Sequence, residues 1–153
     1  MKPKYLIVHC SASNWGDAKA INEWHKQRNF SQIGYHAVLL NGHRTYASKY
    51  SEKLDGKIEP GRTDSTIGAH CQAKGMNLKS LGVCLIGIPG WGGYPSKKQI
   101  GALIHWLAVK CRMYGIPVEN IKQHSDFEPK KPSCASLDMG AVRLNTAAKL
   151  KTM

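Results

Sequence analysis

Two histidines and one cysteine have the chemistry and the spacing of a metal site. His124 and Cys134 stand at the two ends of a loop that contains prolines and lysines, and His9 closes an early apolar run. Two imidazoles and one thiolate would leave the fourth tetrahedral position of zinc to water, as in catalytic zinc sites. Spacing alone does not decide between this site and an alternative in which Cys134 is buried and His124 lies on the surface.

His9 ends a predicted strand, and open α/β sheets bind their ligands at the carboxyl ends of strands. Side chains alternate along a strand, so His9 and Cys10 are expected on opposite faces and cannot both join one metal site without a bulge. A single histidine at a strand end is more often structural. His9 on its own therefore does not establish a site.

The elements that would position these residues alternate between strands and helices. Residues 81–88 are apolar without alternation, which predicts a central strand that is buried on both faces. Asp17 is a predicted N-cap, Ser96 and Gln99 have the spacing of a capping box, and Asn29 suits a left-handed turn after the first helix. The predicted strands are 5–9, 35–40, 57–59 and 81–88 with a short extended piece at 118–122, and the predicted helices are 17–28, 96–115 and 137–150. This order predicts an α/β fold, a sheet flanked by helices.

Length and charge limit the classes of protein. The 153 residues, 42% of them apolar, predict a single domain over residues 1–153. The net charge of +12 indicates an anionic partner: nucleic acid, a membrane surface or a cell wall. No apolar run approaches the roughly 18 residues of a membrane span, and no signal-peptide core follows the first residues, so we expect synthesis in a cytoplasm. The 5 cysteines include no CxxC pair, which argues against a disulfide framework or a four-thiolate zinc finger.

A nucleic-acid-binding protein is one alternative that the charge and the 4 tryptophans suggest. The sequence lacks zinc-finger spacing, a helix-turn-helix signal and an aromatic RNA-binding motif. We therefore expect no nucleic-acid partner.

Several ordered motifs resemble one enzyme family. They are IVHCSA at 7–12, the run from WH at 24–25 to IGYH at 33–36, GR at 61–62, GAH at 68–70, GMN at 75–77, SLGVCLIG at 80–87, and the loop 124–134. In this order the chain is similar to the zinc N-acetylmuramoyl-L-alanine amidases of the bacteriophage lysozyme type, which share their fold with peptidoglycan recognition proteins. The resemblance extends over residues 6–138.

The resemblance implies a central mixed β-sheet flanked by helices and one zinc ion per chain, held by His9, His124 and Cys134. It also implies hydrolysis of the amide between N-acetylmuramic acid and the L-alanine of the peptidoglycan stem peptide. Tyr35 matches the catalytic tyrosine of the family, and His70 matches a pocket-lining residue, which we assign to substrate binding.

The chain departs from the family pattern in two places. The catalytic lysine commonly stands two residues before the third ligand, where this chain has Pro132. We assign the role to Lys131, the nearer of two neighbouring lysines, with Lys130 as the alternative. The segment between Leu40 and Ile58 is longer than the usual hairpin, and we predict a surface excursion without an assigned role.

No catalytic or ligand role is predicted for the remaining histidines and cysteines. We expect His25 to be packed in the core, His36 to be structural, His43 and His105 to lie on the surface, Cys84 and Cys111 to be core residues, and Cys10 and Cys71 to do no chemistry.

The function expected from these observations is that of a phage endolysin, because a wall-degrading activity is combined with the absence of an export signal. The chain would be made in the host cytoplasm, act as a monomer without a membrane span, and meet the anionic cell wall through its positive charge. Two alternatives stay open: a cytoplasmic wall-recycling amidase, and a non-catalytic module that binds peptidoglycan.

Overall fold

A computed structural model describes residues 1–88, 94–130 and 134–153. Its strands and helices follow the predicted alternation. The strands are β1 (Tyr5–Cys10), β2 (Ala37–Asn41), β3 (Asp55–Pro60), β4 (Ser80–Leu85) and β5 (Ile121–Gln123), and the helices are α1 (Ala18–Gln27), α2 (Lys97–Tyr114) and α3 (Met139–Lys151). Short 3-10 turns at Ala73–Leu78, Val118–Asn120 and His124–Asp126 were not predicted from the sequence.

The strands form one mixed sheet in the order β3-β2-β4-β1-β5. β1 pairs in parallel with β4 and β5, β2 pairs in parallel with β4, and β3 runs antiparallel to β2. The predicted central strand, β4, lies between β2 and β1. Because β1, β2, β4 and β5 are parallel, their carboxyl ends meet at one edge of the sheet, where His9 and His124 both lie.

The two faces of the sheet bury different cores. Leu6, Val8 and Cys10 of β1 lie on the face covered by Leu103 and Leu107 of α2. On the opposite face, a second cluster joins strands β2 and β4 to helix α1; it contains Ile21, Ile33, Val38, Leu40, Cys84 and Ile86. The predicted α/β class with a mixed sheet between helices is confirmed.

The helix ends follow the predicted capping residues with one exception. Asp17 accepts the N–H of Ala20 at 2.8 Å, and Ser96 accepts the N–H of Gln99 at 3.0 Å. The predicted reciprocal bond of a capping box at Ser96 is wrong. The side-chain amide of Gln99 instead donates to the carbonyls of Leu39 and Ile86, both at 2.9 Å, and so ties α2 to the ends of β2 and β4.

The turn after α1 has the predicted backbone conformation, because Asn29 adopts φ 67°. Predicted element ends differ from the observed ends by a few residues. The largest differences are at the end of β4, which is Leu85 rather than residue 88, and at the start of β5, which is Ile121 rather than residue 118.

The segment between β2 and β3 is a surface excursion, as predicted. Tyr46 and Tyr50 are exposed within it. Arg44 links this segment to the N-terminus of α1 and to β3 through ion pairs with Asp17 at 2.6 Å and Glu59 at 3.1 Å. Among the described residues, no helix has the length and apolar character needed to cross a lipid bilayer.

Candidate metal centre

His9 is the buried centre of a cluster of four imidazole and phenol rings on one face of the sheet. It lies in β1 opposite Cys84 of β4, and its side chain is 1% exposed. Its ring centroid is 4.7 Å from His124, 4.9 Å from His70 and 5.0 Å from Tyr35. The four rings come from separate segments of the chain, so the sheet and its loops must form before they meet.

His124 and Cys134 are brought to His9 by a closed loop. His124 follows β5 directly, and its carbonyl accepts the N–H groups of Phe127 and Glu128 in a tight turn. The N–H of Ser125 donates to the carbonyl of Cys134 at 2.8 Å, which joins the two ends of the loop. The parallel pairing of β1 with β5 places this loop beside His9.

The three candidate ligands converge on one point. Nδ1 of His9 lies 3.2 Å from Nδ1 of His124 and 3.9 Å from Sγ of Cys134, and all three donor atoms lie within 4.8 Å of one another. A tetrahedral zinc ion with bonds of about 2.0–2.3 Å needs its ligand atoms roughly 3.3–3.8 Å apart. The donor set therefore suits a single zinc-sized ion, which would draw the most widely separated donor atoms closer together.

Each of the three candidate ligands also contacts a group outside the proposed metal position. Nε2 of His9 lies 2.9 Å from Nδ1 of His70, and Nε2 of His124 lies 2.7 Å from a carboxylate oxygen of Glu128. The main-chain N–H of Cys10 donates to Sγ of Cys134 at 3.5 Å. Such outer contacts orient metal ligands in known sites. The contact of Glu128 with His124 was not predicted from the sequence. A carboxylate four residues after a candidate ligand, in a tight turn, could have indicated it.

His70 is 7% exposed and lies behind His9. Its main-chain N–H donates to Oδ1 of Asn77, as does the N–H of Cys71. Burial lowers the pKa of His70 to about 3, and the nearby His36 contributes in the same direction, so the ring is neutral. The predicted contact of His70 with substrate stays a prediction.

Tyr35 lies between His9 and His25, half-buried, just before β2. The N–H of the preceding residue, Gly34, donates to Nδ1 of His25 at 2.9 Å, which fixes the backbone at this point. Burial, followed by the side chain of Cys84, to which the hydroxyl is hydrogen-bonded, raises the pKa of Tyr35 well above its usual value. Its hydroxyl therefore keeps its proton and can act as a hydrogen-bond donor at neutral pH.

The predicted lysine, Lys131, lies outside the described residues, as does Pro132. The alternative, Lys130, is described and exposed.

The other histidines and cysteines lie mostly where the sequence predicts. His25 is buried against Phe30 and Tyr35, and His105 is exposed. His36 is structural: its Nδ1 accepts the N–H of Gly82 and its Nε2 contacts the carbonyl of Thr66. His43 is half-buried rather than fully on the surface, because its ring packs near Tyr50. The buried cysteines are Cys10, Cys71, Cys84 and Cys111.

Comparison with known proteins matches residues 1–135 to the family model described as N-acetylmuramoyl-L-alanine amidase. The endolysins of Enterobacteria phage T3 and Escherichia phage T7 are each 32% identical to the chain over 142 residues, covering 88% of this chain and 81% of theirs. Among solved structures, the amidase LysC from Clostridium intestinale URNW has a TM-score of 0.77 at 25% identity, covering 99% of this chain and 87% of that chain. Drosophila PGRP-LB shares the fold, with a TM-score of 0.68 at 24% identity over 88% of this chain and 75% of that one. The chain therefore belongs to the N-acetylmuramoyl-L-alanine amidase family.

Proposed function

We propose that this chain is a zinc-dependent phage endolysin that hydrolyses the amide between N-acetylmuramic acid and the L-alanine of the peptidoglycan stem peptide. The observation that carries the zinc assignment is the convergence of His9, His124 and Cys134, whose donor atoms lie within 4.8 Å of one another. Membership of the amidase family supports the reaction, and the similarity to phage endolysins supports the biological setting.

One zinc ion per chain would be held by Nδ1 of His9, Nδ1 of His124 and Sγ of Cys134. A zinc ion with three protein ligands supplies Lewis acidity to a carbonyl group and lowers the pKa of a water molecule toward neutrality. The buried position of His9 and His124 keeps bulk water from the protein side of the site.

Tyr35 and Lys131 are the proposed donors to the reacting amide. Tyr35 keeps its hydroxyl proton at neutral pH, and its ring lies 5.0 Å from that of His9. We assign it a hydrogen bond to the carbonyl oxygen or to the attacking water on the family resemblance. A lysine ammonium can stabilise the negative charge that develops on the carbonyl oxygen. We assign this role to Lys131 on the family resemblance.

The proposed partner is the anionic peptidoglycan of a bacterial cell wall, which the net charge of +12 would attract. We propose that residues 1–153 act as a single, monomeric catalytic domain, produced in the host cytoplasm and acting on the wall after release. The electrostatic attraction would be screened over about 8 Å at physiological salt.

The test is metal removal and restoration on the purified full chain. Zinc content is measured by elemental analysis, and activity by the loss of turbidity of purified cell walls. We expect one zinc per chain, loss of activity after chelation, and recovery on addition of zinc. Full wall lysis by a chain shown to be free of zinc and other transition metals would refute the zinc assignment, while zinc binding without lysis would favour a binding module.

A further inference from the structure

We propose that His70, Ser80 and Glu128 are positioning residues that hold the rings of His9 and His124 in the tautomer that can bind a metal through Nδ1. The inference rests on the proposed metal site, but it concerns side chains that reach the metal only through its ligands.

A relay of hydrogen bonds connects the carbonyl of Met76 to His9 through Ser80 and His70. The carbonyl determines which group donates at each step. Oγ of Ser80 lies 2.6 Å from the carbonyl oxygen of Met76, which can only accept, so the hydroxyl of Ser80 must donate its one hydrogen there. The same Oγ lies 3.4 Å from Nε2 of His70 and has only lone pairs left for that contact. Nε2 of His70 is therefore the nitrogen that carries the hydrogen, and in the form of the ring with a single hydrogen Nδ1 is an acceptor.

This assignment passes to the candidate ligand. Nδ1 of His70 lies 2.9 Å from Nε2 of His9, so Nε2 of His9 must donate. A neutral His9 then has its lone pair on Nδ1, the atom that lies 3.2 Å from Nδ1 of His124 and 3.9 Å from Sγ of Cys134. The opposite tautomer would put a hydrogen where the metal must bind. The carbonyl of Met76 thus determines, through Ser80 and His70, that His9 would bind a metal through Nδ1.

Glu128 does the same for the second imidazole by a shorter route. Its carboxylate, 2.7 Å from Nε2 of His124, has no hydrogen to give. Nε2 of His124 therefore donates, and its Nδ1 is left with the lone pair that faces His9. Both rings present the same nitrogen to the site for independent reasons.

The relay through His70 is held by the surrounding backbone. Ser80 is fully buried, and Asn77 accepts the main-chain N–H of His70. The ring of His70 lies against Gly82 of β4, where an added Cβ would come within 2.5 Å of Cγ of His70. Glycine at this central strand position therefore makes the room that the ring needs.

The test combines nitrogen NMR of the histidine rings with zinc affinity, measured on the full chain by competition with a chelator. In the zinc-loaded protein we expect the hydrogen of His70 on Nε2. His70→Leu removes the acceptor, and loss of such an outer partner typically weakens metal binding about 10–100-fold. His70→Asn keeps an acceptor near the place of Nδ1, and we expect it to recover part of that loss.

Ser80→Ala has a matched control in Thr146→Val. Both substitutions delete a fully buried hydroxyl that donates to a carbonyl, from Ser80 to Met76 and from Thr146 to Val142. We expect both to lower the stability of the fold, but only Ser80→Ala to weaken zinc binding and to change the NMR signal of the His70 ring.

A His70 ring with its hydrogen on Nδ1 in the wild-type chain would overturn the inference, as would wild-type zinc affinity in His70→Leu. These measurements use no substrate, so their outcome is separate from that of the proposed function. Wall lysis could fail while the relay is verified, or proceed while the relay is refuted.

Discussion

The main-chain N–H of Cys10 donates to Sγ of Cys134 at 3.5 Å, although the two residues are far apart in sequence. Cys10 stands next to His9 in β1, so a single strand end contributes one imidazole to the cluster and one backbone hydrogen bond to the neighbouring sulfur. The side chain of Cys10 packs in the core beneath α2, and its thiol also hydrogen-bonds the side chain of Cys134. The contact explains how two adjacent residues can both serve the site without a bulge in the strand.

Cys134→Ser and Cys10→Ser should therefore have different effects. We expect Cys134→Ser to lose bound zinc, because a hydroxyl is a far weaker zinc ligand than a thiolate. Cys10→Ser keeps its main-chain N–H and should keep the metal. Elemental analysis of the two purified variants decides the matter, and the reverse pattern would mean that Cys10 is the sulfur ligand.

Tyr35→Phe should separate metal binding from catalysis. The variant keeps the ring that packs against His9 and His25 and loses only the hydroxyl. We expect wild-type zinc content and a fall in turnover on the order of a hundredfold, as is typical for the loss of one donor in an active site. Turnover within a few-fold of wild type would remove Tyr35 from the proposed mechanism.

Gly82→Ala should disturb the site through His70. An added Cβ would lie 2.5 Å from Cγ of the His70 ring, so the ring must move and its contact with Nε2 of His9 must weaken. We expect weaker zinc binding, measured by chelator competition.

Gly101→Ala is the control for this substitution. Gly101 lies in α2 with open space around its Cβ position. Alanine there should leave zinc binding unchanged and raise the free energy of unfolding by about 0.5–1 kcal/mol. Equal zinc affinity in both glycine variants would show that the ring of His70 does not need its observed position.

The stability of the fold should fall as the pH falls from about 6.5 toward 4, with a contribution from His25. The pKa of His25 is lowered from 6.5 to about 4, first by burial and then by Arg28 and Arg62. Between these values the unfolded chain binds the proton more readily than the folded chain, so protonation favours unfolding. Above pH 6.5 this group adds no such penalty.

His25→Asn can keep an acceptor for the N–H of Gly34 without the titrating ring. We expect a smaller loss of stability between about pH 7 and pH 4.5 in this variant than in the wild type, measured by urea unfolding. Parallel losses in the two proteins would show that His25 does not contribute to the acid sensitivity.

Local signals in the sequence were sufficient for most of the fold. The caps at Asp17 and Ser96, the left-handed turn at Asn29 and the apolar run of β4 each depend on neighbouring residues, and each was predicted. The role of Gln99 was not predictable in this way, because its partners Leu39 and Ile86 belong to two strands distant in sequence.

The same distinction applies to the site. Residue types and the family resemblance pointed to His9, His124 and Cys134, which the fold brings together. The relay from Met76 through Ser80 and His70 depends on where the turn before β4 lies over the sheet, which no local pattern encodes. Gly82 was visible in the sequence, but its purpose becomes clear only from the ring that occupies its side-chain space.

The most direct test of the account is the identification of the products of a cell-wall digest by mass spectrometry. The zinc-loaded chain should release intact stem peptides that begin with a free L-alanine amino group, and leave glycan strands whose sugar linkages are uncut. Chelated protein should release neither. Cleavage of the glycan, cleavage within the stem peptide, or binding to the wall without any product would contradict the assignment as a zinc amidase.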